Sequence, residues 1–134
     1  MPSKKQIGAI PVRRASDGGL EVLLVTSRET RRWIIPKGWP IDHLSDAEAA
    51  AVEAWEEAGV QGTACARAIG SFCYDKRRPK EIVPIVVDVY RLDVTTIADD
   101  WPEAAQRRRA WYRPRDAASL VQEPELQVLI AGLE

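Results

Sequence analysis

Cysteine is scarce. Cys65 and Cys73 are the only two, too few for a disulfide framework or a zinc site, and each is expected as a small buried thiol in a reducing compartment. An excess of charge of either sign is also missing. Twenty acids against nineteen bases leave a net charge of −1, which excludes a strongly basic nucleic-acid coat and an acidic disordered tail. No apolar run approaches the ~20 residues of a membrane span, and the opening MPSKKQIGAIPVRR lacks the apolar stretch of a secretory signal. Repeats, low-complexity tracts and linkers are absent too. What is left is a chain of 134 residues, 46% hydrophobic, long enough to build a core. One cytoplasmic domain over residues 1–134 is expected, with no membrane partner.

Ile7–Val12 and Glu21–Thr26 are β-rich runs around the turn signal Ser16-Asp17-Gly18-Gly19, so they read as a hairpin. Trp33–Ile35 reads as a short strand stopped by Pro36, and Lys37–Leu44 as a loop. Ser45 and Glu48 have capping-box spacing, which predicts a helix running to Gly59. Ala64–Tyr74 and Ile82–Leu92 read as two strands joined by a polar hairpin turn at Asp75–Glu81. Pro84, lacking an N–H, is expected at a sheet edge or a bulge. Arg109–Arg113 reads as a last strand, followed by helical turns over Asp116–Val121 and Pro124–Leu133. Strands, helix, strands, helix suggest a mixed sheet flanked by helices.

The predicted helix carries an unfavourable charge pattern. At 100° per residue Glu53, Glu56 and Glu57 share one side, with Ala47, Ala51, Trp55 and Ala58 roughly opposite as a packing face. Five acids and no base lie between Ser45 and Val60. Like charges at i, i+3 and i+4 repel by a few tenths of a kcal/mol per pair, and the helix dipole disfavours anions at the C-terminal end. A divalent cation such as Mg²⁺ or Mn²⁺, which takes hard carboxylate oxygens, would reverse that sign. A merely solvated acidic face is the other reading.

Gly38 followed at fixed distance by Glu53-Ala54-Trp55-Glu56-Glu57-Ala58-Gly59-Val60 resembles the signature of the Nudix hydrolases, G-x5-E-x7-R-E-U-x-E-E-x-G-U, with U a bulky aliphatic. Leu44 stands where the pattern has Glu, Val52 where it has Arg, and Ala54 is smaller than the usual U residue. The segments LLVTSRETRRWIIPKGW and DDWPEAAQRRRAWYRPRDA look like the diphosphoinositol polyphosphate phosphohydrolase branch. The resemblance implies an α/β fold, a Nudix-type α/β/α sandwich around a mixed β-sheet. It also implies divalent-metal-dependent hydrolysis of a phosphoanhydride, with Mg²⁺ (or Mn²⁺) as cofactor. Glu53 and Glu57 would be metal ligands; Glu56 would bind metal or act as general base, with Glu53 beside it in catalysis. A main-chain carbonyl at Lys37 or Gly38 would add an oxygen. Glu81, Asp99, Asp100 and Glu103 are further candidates for the base. Without the signature Arg, Glu53 must be held by some other group, for example an Arg from elsewhere in the chain.

Bases gather at Lys4-Lys5, at Arg28, Arg31, Arg32 and Lys37, at Lys76-Arg77-Arg78 with Lys80, and at Arg107-Arg108-Arg109. Together they would form a cationic mouth for a polyanion. The resemblance maps Lys4, Arg28 and Arg107–Arg109 onto phosphate-contacting regions; a role for Arg77 and Arg78 does not follow from it. Trp39, next to Gly38, could stack on a nucleobase or cover the metal site, as could Trp101, while Trp33, Trp55 and Trp111 read as core. His43 reads as an exposed loop histidine. The expected partner is a small phosphorylated substrate, not nucleic acid, for a monomer or homodimer. A Nudix-like module that binds a phosphorylated ligand without cleaving it is the competing reading, motivated by Leu44 and Val52.

Overall fold

In the computed structural model, which describes residues 4–134, β1 (Lys4–Arg14) and β7 (Glu81–Ile97) run parallel from Lys4↔Ile85 to Val12↔Asp93 at the centre of an eight-stranded sheet. Every other pairing is antiparallel. β2 (Leu20–Thr26) pairs with β1 through the Ser16–Gly19 turn and with β8 (Arg109–Tyr112) on its far side. β5 (Val60–Ala64) takes the C-terminal half of β7, and β6 (Gly70–Arg78) the N-terminal half. The short β3 (Trp33–Ile34) and β4 (Lys37–Gly38) form a wedge: β3 pairs with β2, β4 with Ile7 and Gly8 of β1. The Ala9 N–H donates to the Pro36 carbonyl between them at 2.9 Å.

Both faces of the central strands are apolar, and the alternation sorts them into two cores. Ile7, Ala9, Leu23, Val25, Tyr90 and Leu92 pack against α1 (Asp46–Ala58). Ile10, Val12, Val22, Leu24, Val83, Ile85, Val87 and Val89 pack against α2 (Pro114–Leu120) and α3 (Pro124–Ala131) through Ala117, Val121, Leu126 and Ile130. Burying each large aliphatic side chain contributes about 1.5–3 kcal/mol. The arrangement is the α/β/α sandwich around a mixed sheet that the resemblance implied. Among the described residues no helix is long and apolar enough to cross a membrane.

Four expectations are corrected. Ala64–Tyr74 is not one strand but β5 and β6 separated by Cys65–Ile69, where Ala66-Arg67-Ala68 offers no β-branched residue to continue the ladder. Pro84 sits within β7 with no bulge against its partner Asp75. Among the described residues, pairing of β7 with β1 begins one position on, at Ile85. The register shift falls instead at Gln61/Gly62, where a Cβ on Gly62 would overlap the Asp93 carbonyl. Cys65 and Cys73 are exposed rather than buried: Cys73 points away from the core on β6, beside the buried Phe72. Trp55 is not the anchor of α1. Ala47, Ala50, Ala54 and Ala58 are the buried stripe; these small side chains bring the helix close to the sheet and leave the half-exposed indole at the rim.

Candidate active site

α1 starts where Ser45 places it. The Glu48 N–H donates to Ser45 Oγ (3.1 Å) and the Ser45 N–H to Glu48 Oε1 (2.8 Å), a reciprocal cap that contributes about 1 kcal/mol. The helix ends on Gly59, at φ 70°, whose N–H donates to the Trp55 carbonyl. A side chain at Gly59 would suffer both the positive φ and a Cβ 2.8 Å from the Trp101 ring.

The carbonyls beyond this point have no partner within the helix. One segment, residues 98–109, supplies donors to all of them. The Glu103 N–H reaches the Glu56 carbonyl at 3.0 Å, Trp101 Nε1 the Glu57 carbonyl at 3.0 Å, Arg109 Nη1 the Ala58 carbonyl at 2.8 Å, and the Ala98 N–H the Gly59 carbonyl at 2.9 Å. The Arg109 guanidinium also stacks 3.9 Å from the Trp101 ring centroid and donates to the Ala98 carbonyl. The acidic last turn of α1, which contains no base of its own, thus receives its positive charge from β8.

The wedge brings main chain up to these acids. The Lys37 N–H donates to Glu57 Oε1 at 3.3 Å, and a Cβ on Gly38 would overlap the Glu53 carboxylate. Glycine is required there so that backbone and carboxylate can touch. Glu57 is buried and Glu53 half-buried, while Glu56 is exposed. Burial pushes the Glu57 carboxyl up to about 7, with Glu53 and Glu103 adding to the rise and Arg107 and Lys37 opposing it. Glu53 is also raised, by burial first and then by Glu56 and Glu103. Burial lowers Lys37, whose Nζ lies 4.9 Å from the Tyr74 ring centroid.

Sequence reasoning grouped Arg107, Arg108 and Arg109 as phosphate contacts; the structure sends them in different directions. Arg107 is buried among Glu57, Glu103 and the Thr26 carbonyl, and Arg109 caps α1. Their alternation in and beside a strand turns Arg108 alone outward, where its side chain is exposed. Arg28, also exposed, approaches Gln106 at 3.4 Å, so it stands beside the Arg108 segment. Arg32 is committed to Glu123 at 2.8 Å. Lys4, at the start of β1, is exposed. Trp39 is 40% exposed, with Lys76 Nζ 5.4 Å from its ring centroid, which puts the turn end of the β6–β7 hairpin beside the site loop. Trp101 is taken up by Glu57 and Arg109. Trp33 packs edge-on against Tyr112 and Trp111 lies under Arg13. Of the loop acids suggested as base, Glu103 alone is seated beside the helix acids; Glu81 faces Arg78 at the hairpin, and Asp100 accepts from the Trp101 N–H.

Among the described residues no three acidic, His or Cys side chains already converge as a cation cage. The donor set nonetheless suits a hard divalent cation: carboxylates from one helix end, and a glycine main chain with nothing between it and Glu53.

A family model described as the NUDIX domain matches residues 3–131. Diphosphoinositol polyphosphate phosphohydrolase 3-beta of Bos taurus is 37% identical over 105 residues, covering 76% of this chain and 60% of that protein. Diphosphoinositol polyphosphate phosphohydrolase 2 of Rattus norvegicus is 37% identical over the same length, covering 55% of that protein. The matched part therefore spans three fifths or less of these relatives. Among solved structures, the NUDIX domain of Shewanella oneidensis NrtR complexed with ADP ribose superposes with a TM-score of 0.70 at 15% identity, covering 98% of this chain and 88% of that one. A C. elegans Ap4A hydrolase gives 0.63 at 19% identity, covering 97% and 95%. The structural likenesses agree with the fold, and the family model covers nearly the whole chain: the chain belongs to the NUDIX domain family.

Proposed function

We propose that the chain hydrolyses a phosphoanhydride bond in a small polyphosphorylated molecule, using a divalent cation. A diphosphoinositol polyphosphate, a dinucleoside polyphosphate or a related nucleoside diphosphate derivative is the substrate class. The observation that carries this reading is the apposition of Glu53 and Glu57 to the Gly38 and Lys37 main chain. Buried acids at a helix C-terminus are costly on their own, and a cation site gives them a use. The diphosphoinositol polyphosphate phosphohydrolases at 37% identity support the substrate class.

In this reading Glu53, Glu56 and Glu57, with a main-chain carbonyl of Lys37 or Gly38, hold Mg²⁺ or Mn²⁺. Such an ion supplies phosphate charge screening and a more acidic water. Glu56, exposed at the cluster's edge, takes the proton from the attacking water, and Glu53 orients the group beside it. Lys4, Arg28 and Arg108 attract and hold the outer phosphates, Lys37 reaches them from inside the cleft, and Trp39 offers its free area to the rest of the substrate. A cytoplasmic setting fits the free, exposed thiols, and a monomer or homodimer would suffice for a site built within one chain.

The test is a panel of pyrophosphates with and without Mg²⁺, read by phosphate or nucleotide release. Glu56→Gln should lower kcat by about 100-fold or more while keeping the wild-type circular dichroism spectrum. Absence of turnover with every pyrophosphate, with a phosphorylated ligand still bound, would favour the binding module instead.

A further inference from the structure

We infer that Arg107 is a positioning residue, clamping the Glu57 carboxylate of α1 to the Glu103 carboxylate of the preceding loop so that two separate segments build one acidic pocket. The inference rests on reading that pocket as the cation site. The Arg107 side chain is 7% exposed, and each arm of its guanidinium has a separate use. Nε donates to Glu103 Oε1 at 2.8 Å, Nη1 donates to the Thr26 carbonyl at 3.1 Å, and Nη2 stands 3.6 Å from Glu57 Oε2. Thr26 is a firm anchor: its N–H donates to the Arg108 carbonyl at 3.0 Å, and its Oγ1 accepts from the Arg108 N–H at 2.9 Å. Glu103 is pinned as well, since its N–H donates to the Glu56 carbonyl.

A planar fork hydrogen-bonded at two points, with its third nitrogen in ion-pair range of Glu57, fixes direction as well as charge. Buried ion pairs seldom add stability over apolar packing of similar volume, so the fork's value lies in where it holds the two carboxylates. α1 itself offers no such group, because Val52 occupies the position of the signature arginine and the helix has no base in its last turn.

Two roles for Arg107 predict opposite results. If the guanidinium merely balanced charge, its removal would relieve repulsion and tighten binding of an arriving cation. If it positions the carboxylates, removal loosens binding. The experiment titrates the full chain with Mn²⁺ alone, reading free Mn²⁺ by electron paramagnetic resonance, for wild type, Arg107→Met, Arg107→Lys and Glu103→Gln. A Mg²⁺-dependent turnover assay of a pyrophosphate runs in parallel. We expect Mn²⁺ affinity to fall about 10-fold or more in Arg107→Met and nearly as far in Arg107→Lys, which keeps the charge but not the fork. In turnover, kcat should fall while KM changes less than about 2-fold. Unchanged or tighter Mn²⁺ binding in Arg107→Met overturns the inference. So does a wild-type Arg107→Lys, or a higher KM at constant kcat, the mark of a direct substrate contact. Should Arg107→Met fail to fold, the Lys and Glu103→Gln variants decide on the same criteria. A wild type that binds no Mn²⁺ removes the cation-site reading and this inference with it; an insensitive Arg107 in a protein that binds Mn²⁺ removes the inference alone.

Discussion

The Glu57 carboxylate receives one main-chain donor, the Lys37 N–H, at 3.3 Å. One long hydrogen bond is little solvation for a buried anion, and this is the local origin of its raised pKa of about 7.

A stability prediction follows from that shift. Between the ordinary value of 4.5 and about 7, the folded chain keeps a proton that the unfolded chain has released. Through Glu57 the cation-free protein therefore loses stability as pH rises through this window, by on the order of 3 kcal/mol from that one group. A divalent cation on the ionised carboxylates opposes the loss. Mg²⁺ should leave Tm nearly unchanged at pH 5 and raise it clearly at pH 8. Thermal melts at both values, with and without Mg²⁺, check this; equal stabilisation at the two would contradict it.

At Gly38 the added Cβ of alanine meets the far end of the Glu53 side chain. That carboxylate can swing aside, so Gly38→Ala should fold with a Tm within a few degrees of wild type. Its cost falls on the site: Mg²⁺ half-saturation should rise and kcat drop by about 10-fold or more. A calorimetric titration with Mn²⁺ separates this from a folding defect.

Arg28, beside Gln106, and Arg108 both face solvent without an acidic partner among the described residues. Replacing both with Ala should raise KM for a highly phosphorylated substrate several-fold more than for a nucleoside diphosphate sugar. The difference should shrink at 0.5 M salt, because exposed charges are screened. Equal effects on the two substrates would argue against a phosphate-reading mouth.

Arg109 satisfies the Ala58 carbonyl and opposes the helix dipole. Arg109→Met should cost about 1–3 kcal/mol in urea unfolding, with the amide protons of the last turn of α1 exchanging faster. Unchanged exchange there would mean that Trp101 and the backbone donors suffice.

Much of the frame was legible because it is local. Ser45 with Glu48, Gly59, and the apolar, β-rich runs Ile7–Val12 and Ile82–Leu92 each carry their meaning within a few residues: the helix is capped as read, and both runs lie within longer strands. The break at Cys65–Ile69 was missed because Ala64–Tyr74 reads as apolar enough for one strand, while the close approach of Leu129 to Gly70, where β6 begins, is a long-range packing fact. Trp55 misled for a related reason: its size suggested an anchor, whereas closeness of helix to sheet selected alanine. Arg107 and Arg109 were the least legible. Their partners at Glu57 and Ala58 lie about fifty residues away, and in sequence they sit in an undivided basic run with Arg108. Only the bonds to Thr26 ahead of β8, and the entry of Arg109 into that strand, separate the three.

The four closures at the end of α1 also say something about engineering. A signature helix grafted into another scaffold would arrive with the Glu56, Glu57, Ala58 and Gly59 carbonyls open and its acids unsupported. The transferable unit is the helix together with residues 98–109, and libraries that randomise this loop to retune specificity would be altering the hinge on which the helix is hung.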